Sequence, residues 1–104
     1  MSTQKIALIT GANRGIGFET ARQLGKRGIK VLLGARSEDK GLEAESKLKN
    51  EGLDVEYINI DVDNATTHAA AAKQIEEKYG KLDILINNAG VFLAEEFDAD
   101  GAMV

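Results

Sequence analysis

Four short apolar runs alternate along the chain with longer segments in which apolar residues recur every three or four positions. The runs lie at 5–10, 30–36 and 55–60, with a fourth inside 82–90. Short, almost wholly apolar runs are typical of strands buried on both faces, and spacings of three and four are typical of helices. The pattern predicts the order βαβαβαβ, and therefore an α/β fold with a parallel sheet and right-handed crossovers.

Each helical segment carries an apolar stripe and is followed by a glycine. We expect the three helices to stop near Gly28, Gly52 and Gly80, and either Asp63 or Asn64 to cap the third. The stripes are formed by Ile16, Thr20, Leu24 and the adjacent Ala21 in the first helix, by Leu42, Glu45 and Leu48 in the second, and by Ala69, Ala72, Ile75 and Tyr79 in the third.

Length and composition fit a single domain, with 104 residues of which 43% are hydrophobic. The formal net charge of -4 argues against a general nucleic-acid or membrane-surface binder. No apolar run is long enough to span a bilayer. Cysteine is absent, which excludes disulfides and thiolate metal sites. We expect a cytoplasmic protein with no metal site and with neither a nucleic-acid nor a membrane partner.

Three glycines, Gly11, Gly15 and Gly17, follow the first strand where the first helix begins. The N-terminus of a helix presents unpaired N–H groups and a partial positive charge, which attract phosphate. Gly11 permits a tight turn, Gly15 removes a Cβ that would block a phosphate, and Gly17 lets the helix pack close to the strand. These are the roles that glycines have in a dinucleotide-binding loop.

The spacing of the three glycines is Gly-x-x-x-Gly-x-Gly, which differs from the commoner Gly-x-Gly-x-x-Gly. A Walker P-loop is excluded because no Gly-Lys-Ser/Thr follows. An ordinary glycine-rich turn is the alternative. The strand before the glycines, the helix after them and the alternating pattern of the chain favour the dinucleotide-binding loop.

The sequence TGANRGIG at 10–17, together with NNAG at 87–90, resembles the classical branch of the short-chain dehydrogenase/reductase family. That branch carries Thr-Gly-x-x-x-Gly-x-Gly after its first strand and Asn-Asn-Ala-Gly after its fourth, at a similar separation. The resemblance extends to about Val91 and is strongest to carbonyl-reductase-like members. It implies a Rossmann-like doubly wound sheet of strand order 3-2-1-4, with residues 1–104 forming a partial NAD(P)-binding domain that stops before the catalytic half.

The resemblance also implies which residues surround the cofactor. One asparagine of the NNAG segment would brace the sheet, while the backbone of that segment passes the cofactor ribose. A plain asparagine-rich turn is the alternative for Asn87 and Asn88, because such turns are common. The implied residues are Gly11, Asn13, Arg14, Gly15, Ile16 and Gly17 in the pyrophosphate loop, Asp61 and Val62 beside the adenine, and Asn87, Asn88, Ala89 and Gly90 after the fourth strand.

Ala35 and Arg36 close the second strand, where a NAD-specific site carries an acid that binds the ribose 2′-hydroxyl. An arginine there attracts a 2′-phosphate and can bind it through two parallel N–H contacts. The resemblance makes Arg14 the family's other basic position for NADP use, so the predicted cofactor is NADP(H). The alternatives are that Arg36 is solvated or paired with Glu38 or Asp39, and that Arg14 is a loop residue with no role in cofactor binding.

The catalytic pattern of the family does not occur in the sequence. The family uses a tyrosine as general acid or base beside a lysine, spaced Tyr-x-x-x-Lys, with a serine upstream. Tyr57 is followed four positions on by Asp61, and Tyr79 by Asp83, so neither tyrosine fits. Carbonyl reduction needs a proton as hydride moves. We therefore assign no catalytic residue and expect no dehydrogenase activity from the 104 residues alone.

The position of the fourth strand in the sheet affects whether the chain associates with other chains. In the order 3-2-1-4 it lies at the edge of the sheet, where Ile84, Leu85 and Ile86 invite pairing with another chain. We expect self-association, or a partner that supplies the rest of the fold. Two functions therefore compete: the NADP-binding portion of an oxidoreductase that acts on carbonyls or alcohols, and a non-catalytic nucleotide-binding or self-associating half-domain.

Three smaller features carry no predicted chemistry. His68, the single histidine, has no acid or cysteine arranged around it as metal ligands, so we expect a surface or boundary residue. The charges of 37–52 are most simply a solvated helix face. The acids of 94–100 lack the spacing of a metal-binding loop.

Overall fold

The computed structural model describes residues 4–88, which form strands and helices in strict alternation. The strands are all parallel, and their order in the sheet is β3-β2-β1-β4. The predicted α/β class, element order and strand order 3-2-1-4 are confirmed. In chain order the elements are β1 (Ile6–Thr10), α1 (Gly15–Lys26), β2 (Lys30–Ala35), α2 (Glu38–Asn50), β3 (Val55–Asn59), α3 (Ala65–Tyr79) and β4 (Ile84–Ile86).

Two apolar cores lie on opposite faces of the sheet. Along β1, Leu8 belongs to the core that includes α3, whereas Ile9 belongs to the core that includes α1 and α2. The register places Leu32 of β2 beside Leu8, and Leu33 beside Ile9, so neighbouring strands supply the two cores in step. Because successive residues of a strand point to opposite faces, both faces must be apolar, which explains the unbroken apolar runs in the sequence.

The ends of the helices follow the predicted signals. Asn64 caps α3 through its side-chain oxygen, and Ser37 caps α2 in the same way. Each helix ends one or two residues before a glycine, at Gly28, Gly52 and Gly80.

The buried face of α1 differs from the predicted stripe. Of that stripe, Ala21 is buried and Leu24 packs against the core, but Ile16 is 79% exposed, and the other buried positions are Gly17 and Gly25. The physical reason is distance: a Cβ built on Gly25 would lie 3.3 Å from the Cβ of Leu53. A helix that packs this closely needs small residues on its inner face, and a pattern of large apolar residues does not reveal that face.

The buried face of α2 is also built from small residues. Leu48 is buried as predicted, together with Gly41 and Ala44, but Leu42 is 44% exposed. A Cβ built on Gly41 would lie only 2.2 Å from Cδ1 of Tyr57. The aromatic ring of β3 therefore occupies the space that a larger residue of α2 would need.

Helix α3 buries Ala72 and Ile75, as the stripe predicted, but also Ala71 and His68, whereas Ala69 of that stripe is exposed. The expectation of a surface or boundary histidine is wrong, since His68 is fully buried. Its ring lies against the segment that follows β3, with Nε2 2.8 Å from the carbonyl oxygen of Asp61. That hydrogen bond allows a polar ring to stay inside the protein.

Strand β4 is fixed to β1 by a reciprocal pair of hydrogen bonds at its start. The backbone N–H of Asp83 donates to the carbonyl of Ile6 (2.9 Å), and the Asp83 carboxylate accepts from the N–H of Ile6 (2.8 Å). The register then pairs Ala7 with Ile84 and Ile9 with Ile86. The end of β4 therefore lies beside the end of β1, which places the residues after each strand close together.

Candidate functional site

The carboxyl ends of the parallel strands open into a cleft of about 500 Å³. Its walls come from the turn between β1 and α1 and from the segments that follow β2, β3 and β4. In open α/β sheets, ligands bind outside the carboxyl ends of the strands. The cleft is lined by Gly11, Asn13, Arg14, Gly15, Ala35, Arg36, Ile60, Asp61, Val62, Asp63 and Asn88.

Of the eleven predicted cofactor residues that the structure describes, eight meet in this cleft and three do not line it. Gly17 is buried in α1, and Ile16 is exposed at the start of that helix. Asn87 is bonded to the end of β1. Ala89 and Gly90 lie outside the described residues.

The turn after β1 has the backbone conformation that its glycines suggest. Gly11 and Gly15 both have φ near +62°, a region that residues with a side chain rarely adopt. A Cβ built on Gly15 would meet no heavy atom within 4 Å, other than those of its neighbours, so this position is open. Arg14 is the N-cap of α1 and makes no side-chain cap. The first N–H groups of α1 are therefore not capped by that side chain and can receive an anion.

Gly17 stands where the turn, the helix and the end of β4 converge. A Cβ at this position would lie 2.5 Å from the carbonyl oxygen of Gly11 and 2.7 Å from Nδ2 of Asn88. Both distances are shorter than any normal contact. Gly17 thus permits the close helix packing that the sequence predicted, and it does so without lining the cleft.

The two asparagines after β4 tie that strand to β1. The N–H of Asn88 donates to Oγ1 of Thr10 (3.0 Å), and Thr10 Oγ1 donates to Oδ1 of Asn87 (3.2 Å). The Asn88 side chain in turn donates from Nδ2 to the carbonyl of Gly11 at 3.2 Å. These bonds hold the glycine turn against the sheet and form one wall of the cleft.

Arg14 and Arg36 bring positive charge to the cleft, and both are exposed. Within residues 4–88, neither guanidinium group makes an ion pair or a side-chain hydrogen bond, so Arg36 is not paired with Glu38 or Asp39. Ala35 is buried and places no acid beside Arg36. Two free cations in a cleft with a helix N-terminus favour a ligand that carries several phosphates.

The segment after β3 is anchored by the first turns of α3. The N–H of Asp61 donates to Oγ1 of Thr67 (2.8 Å). The single hydrogen of that hydroxyl is within reach of two carbonyls, those of Asn64 (2.7 Å) and Asp61 (3.1 Å). His68 donates to the Asp61 carbonyl, and because a carbonyl only accepts, the proton of the imidazole is on Nε2. The Asp61 carboxylate accepts from the N–H of Asp63 at 2.9 Å. The backbone of Asp61 is thereby fixed.

Sequence reasoning missed four residues around this segment. Ile60 and Asp63 line the cleft, and Thr67 and His68 hold Asp61 in place. A single sequence gives no signal for them, since a threonine and a histidine in an alanine-rich helix carry no motif. In the part of the chain that the structure describes, no group of three or more His, Asp and Glu could hold a metal ion, and no helix is long and apolar enough to cross a membrane.

A family model described as short chain dehydrogenase matches residues 5–102. Among curated proteins, (-)-isopiperitenone reductase from Mentha piperita is 52% identical in an alignment 93 residues long, which covers 85% of this chain and 29% of the relative. The chain spans about a third of the length of the curated relatives it matches.

Solved structures show the same likeness. Menthone neomenthol reductase from Mentha piperita superposes with a TM-score of 0.81 at 43% identity, over 86% of this chain and 33% of that one. A variant of actinorhodin polyketide ketoreductase, solved with NADPH, superposes with a TM-score of 0.80 at 38% identity, over 88% of this chain and 36% of that one.

Proposed function

Because the chain belongs to the short-chain dehydrogenase/reductase family, we propose that its cleft binds NADP(H). We propose further that the whole protein is an oxidoreductase that transfers hydride between NADPH and a carbonyl or alcohol substrate. One observation carries the proposal: the glycine turn, Arg14 and Arg36 meet in a single cleft at the carboxyl ends of the strands. The NADPH bound to the similar ketoreductase supports the choice of cofactor.

The pyrophosphate is proposed to lie on the turn after β1. There Gly11 and Gly15 expose backbone without side chains, and the first N–H groups of α1 point outward. The positive end of the helix stabilises the diphosphate charge. Asn13 lines the same wall and offers a side-chain amide to the phosphates. Ile16 offers a backbone N–H, and Gly17 keeps the helix close enough for this arrangement.

The two ends of the cofactor are proposed to lie in opposite directions from this turn. The adenine lies beside Asp61 and Val62, where the loop is held by α3. The other ribose passes the segment 87–90, of which Asn88 lines the cleft. When bound, NADPH supplies the hydride, while the residues of this chain hold and orient the cofactor.

Arg14 and Arg36 are proposed to bind the 2′-phosphate and to select NADP over NAD. A hydrogen bond to a charged group contributes about 1.5–3 kcal/mol, which corresponds to roughly tenfold or more in affinity. Arg36→Asp should therefore reverse the order, so that NADH binds more tightly than NADPH. Arg27→Asp is the matched control, because Arg27 is an exposed arginine at the far end of α1. A variant Arg36→Asp that keeps the preference for NADPH would contradict the assignment.

We propose that these 104 residues alone do not turn over a carbonyl substrate, because the spacing Tyr-x-x-x-Lys does not occur in them. The measurement is NADPH consumption by the purified chain with a panel of ketones and aldehydes, compared with a blank that lacks protein. Turnover above the blank would contradict this part of the proposal. No observation favours a non-catalytic half-domain over the oxidoreductase.

We propose that the chain self-associates through β4. Within residues 4–88, this strand pairs with β1 on one side and leaves its outer edge unpaired. Sedimentation across a range of concentrations would show a species heavier than 11.2 kDa. A single monomeric species at all concentrations would contradict it. The cytoplasmic location expected from composition stays a prediction.

A further inference from the structure

The end of β2 is held from β3 by side chains as well as by the strand ladder. The hydroxyl of Tyr57 donates to the carbonyl of Ala35 at 3.2 Å. The same hydroxyl accepts from Nδ2 of Asn59 at 3.1 Å, and that amide also donates to the carbonyl of Arg36 at 3.2 Å. Two side chains of β3 therefore bond two consecutive backbone carbonyls, and the second of these carbonyls belongs to Arg36, which lines the cleft.

Tyr57 is itself tightly fixed, so its hydroxyl has a defined position. Its backbone N–H donates to Oε2 of Glu45 in α2 at 2.6 Å. Its ring lies against Gly41 of α2, where a Cβ would approach Cδ1 to 2.2 Å. Held by α2 on one side and by Asn59 on the other, the phenol cannot swing away from β2 without breaking these contacts.

Arg36 needs such support because its side chain has no partner of its own within the described residues. Its side chain is exposed and makes no ion pair or hydrogen bond within residues 4–88. The position of the Arg36 backbone therefore determines which part of the cleft its guanidinium can reach. Fixing that backbone before the ligand arrives reduces the ordering entropy that binding must overcome.

We infer that Tyr57 and Asn59 are positioning residues that hold Arg36 for the 2′-phosphate of the cofactor and so set the preference for NADP over NAD. The inference rests on the proposed function of the cleft. Neither residue lines the cleft, and both act through the backbone carbonyls of Ala35 and Arg36, which they bond. The pyrophosphate turn and the loop at Asp61 are supported by other contacts, which leaves NADH binding independent of this pair.

The test compares Tyr57→Phe and Asn59→Ala with the unaltered chain, by titration with NADPH and with NADH. Each variant is expected to lower the affinity for NADPH by about threefold to tenfold, the effect of one hydrogen bond. The affinity for NADH should stay unchanged, so the ratio of the two dissociation constants falls. Tyr79→Phe is the matched control: the Tyr79 hydroxyl bonds Glu56, which precedes Tyr57 in β3 but points to the opposite face of the sheet.

A double variant shows whether the effect passes through Arg36. In an Arg36→Ala background, Tyr57→Phe should have no further effect on NADPH binding, because the group it positions is gone. An effect of the same size in both backgrounds would overturn the inference. Equal losses of affinity for NADPH and NADH would also overturn the inference, because they would indicate a general loss of structure. No change in either affinity would overturn it as well, because the two residues would then have no effect on Arg36.

The outcome for the unaltered chain separates this inference from the proposed function. A chain that binds NADPH no better than NADH contradicts both. A chain that prefers NADPH, with Tyr57→Phe and Asn59→Ala keeping that preference, contradicts the positioning role alone. Thermal unfolding is measured for every variant. If Tyr57→Phe does not fold, Asn59→Ala decides, because Asn59 is exposed and at the end of its strand.

Discussion

The side chain of Asn88 donates a hydrogen bond to the backbone carbonyl of Gly11, with Nδ2 and the oxygen 3.2 Å apart. The two residues are 77 positions apart in sequence. They meet because β4 inserts beside β1 and ends at the same edge of the sheet. The glycine turn is therefore not a free loop, since its shape depends on a strand formed near the other end of the described chain.

Thr10→Val tests this dependence. The change keeps the shape of a fully buried side chain and removes the oxygen that accepts from the N–H of Asn88. We expect a loss of about 0.5–1.5 kcal/mol in the free energy of unfolding, because a part-buried hydrogen bond is removed. Denaturant titration gives the value. Thr20→Val is the control, since Thr20 bonds only the carbonyl of Ile16 within its own helix, and it should change stability little.

Gly17→Ala tests the close approach of α1 to the turn. The new methyl would meet the Gly11 carbonyl at 2.5 Å, and a backbone atom cannot move away easily. We expect destabilisation by about 1–3 kcal/mol and loss of cofactor binding. Gly25→Ala is the matched control in the same helix, where the nearest atom is a side-chain carbon of Leu53 at 3.3 Å. Equal effects of the two changes would show that the turn plays no special part.

Thr67→Val tests the support of the loop beside the proposed adenine site. Thr67 Oγ1 accepts from the N–H of Asp61 and lies near the carbonyls of Asn64 and Asp61, and the variant removes these contacts. NADPH and NADH both contain the adenine, so their affinities should fall by the same factor, about threefold to tenfold. Thr66→Val is the control, because Thr66 is exposed one position away. A change in the ratio of the two affinities would contradict this account.

Asp83 gives a prediction for pH. The N–H of Ile6 lowers the pKa of the Asp83 carboxyl below its ordinary value of 3.8, and Lys81 lowers this pKa further. A carboxyl whose native pKa is depressed stabilises the fold above its unfolded pKa, and this contribution is lost as pH falls through the native value. Asp83→Asn should therefore be less stable at pH 7 by about 0.5–1 kcal/mol, allowing for solvent screening. Unfolding measured from pH 7 to pH 2 should show the difference shrinking below pH 4; a constant difference would contradict the assignment.

The strands and the glycine turn could be predicted from local patterns in the sequence, and the strand order from the resemblance to the family. Runs such as residues 31–35 contain no polar side chain because both faces of their strands are covered, and that signal is local. Gly11, Gly15 and Gly17 indicate a tight turn between the first strand and the first helix, because few other residues fit at these positions. The helix stop at Gly80 follows from equally local chemistry.

The inner faces of the helices and the supports of the site could not be predicted. Position 41 of α2 must be glycine because the ring of Tyr57 in β3 fills the space beside it, and no periodic pattern in the sequence reveals such a pair. His68 is polar, yet it is buried because a carbonyl from another segment pairs with it. Such features depend on which segments meet, and that is decided by tertiary packing rather than by neighbours in the sequence.

The central claim is that the cleft at the carboxyl ends of the strands is built for a dinucleotide with a 2′-phosphate. Parallel titrations of the unaltered chain with NADPH and NADH test it most directly. The account predicts saturable binding of both, with NADPH tighter by roughly tenfold or more. Equal affinities, or tighter binding of NADH, would contradict it.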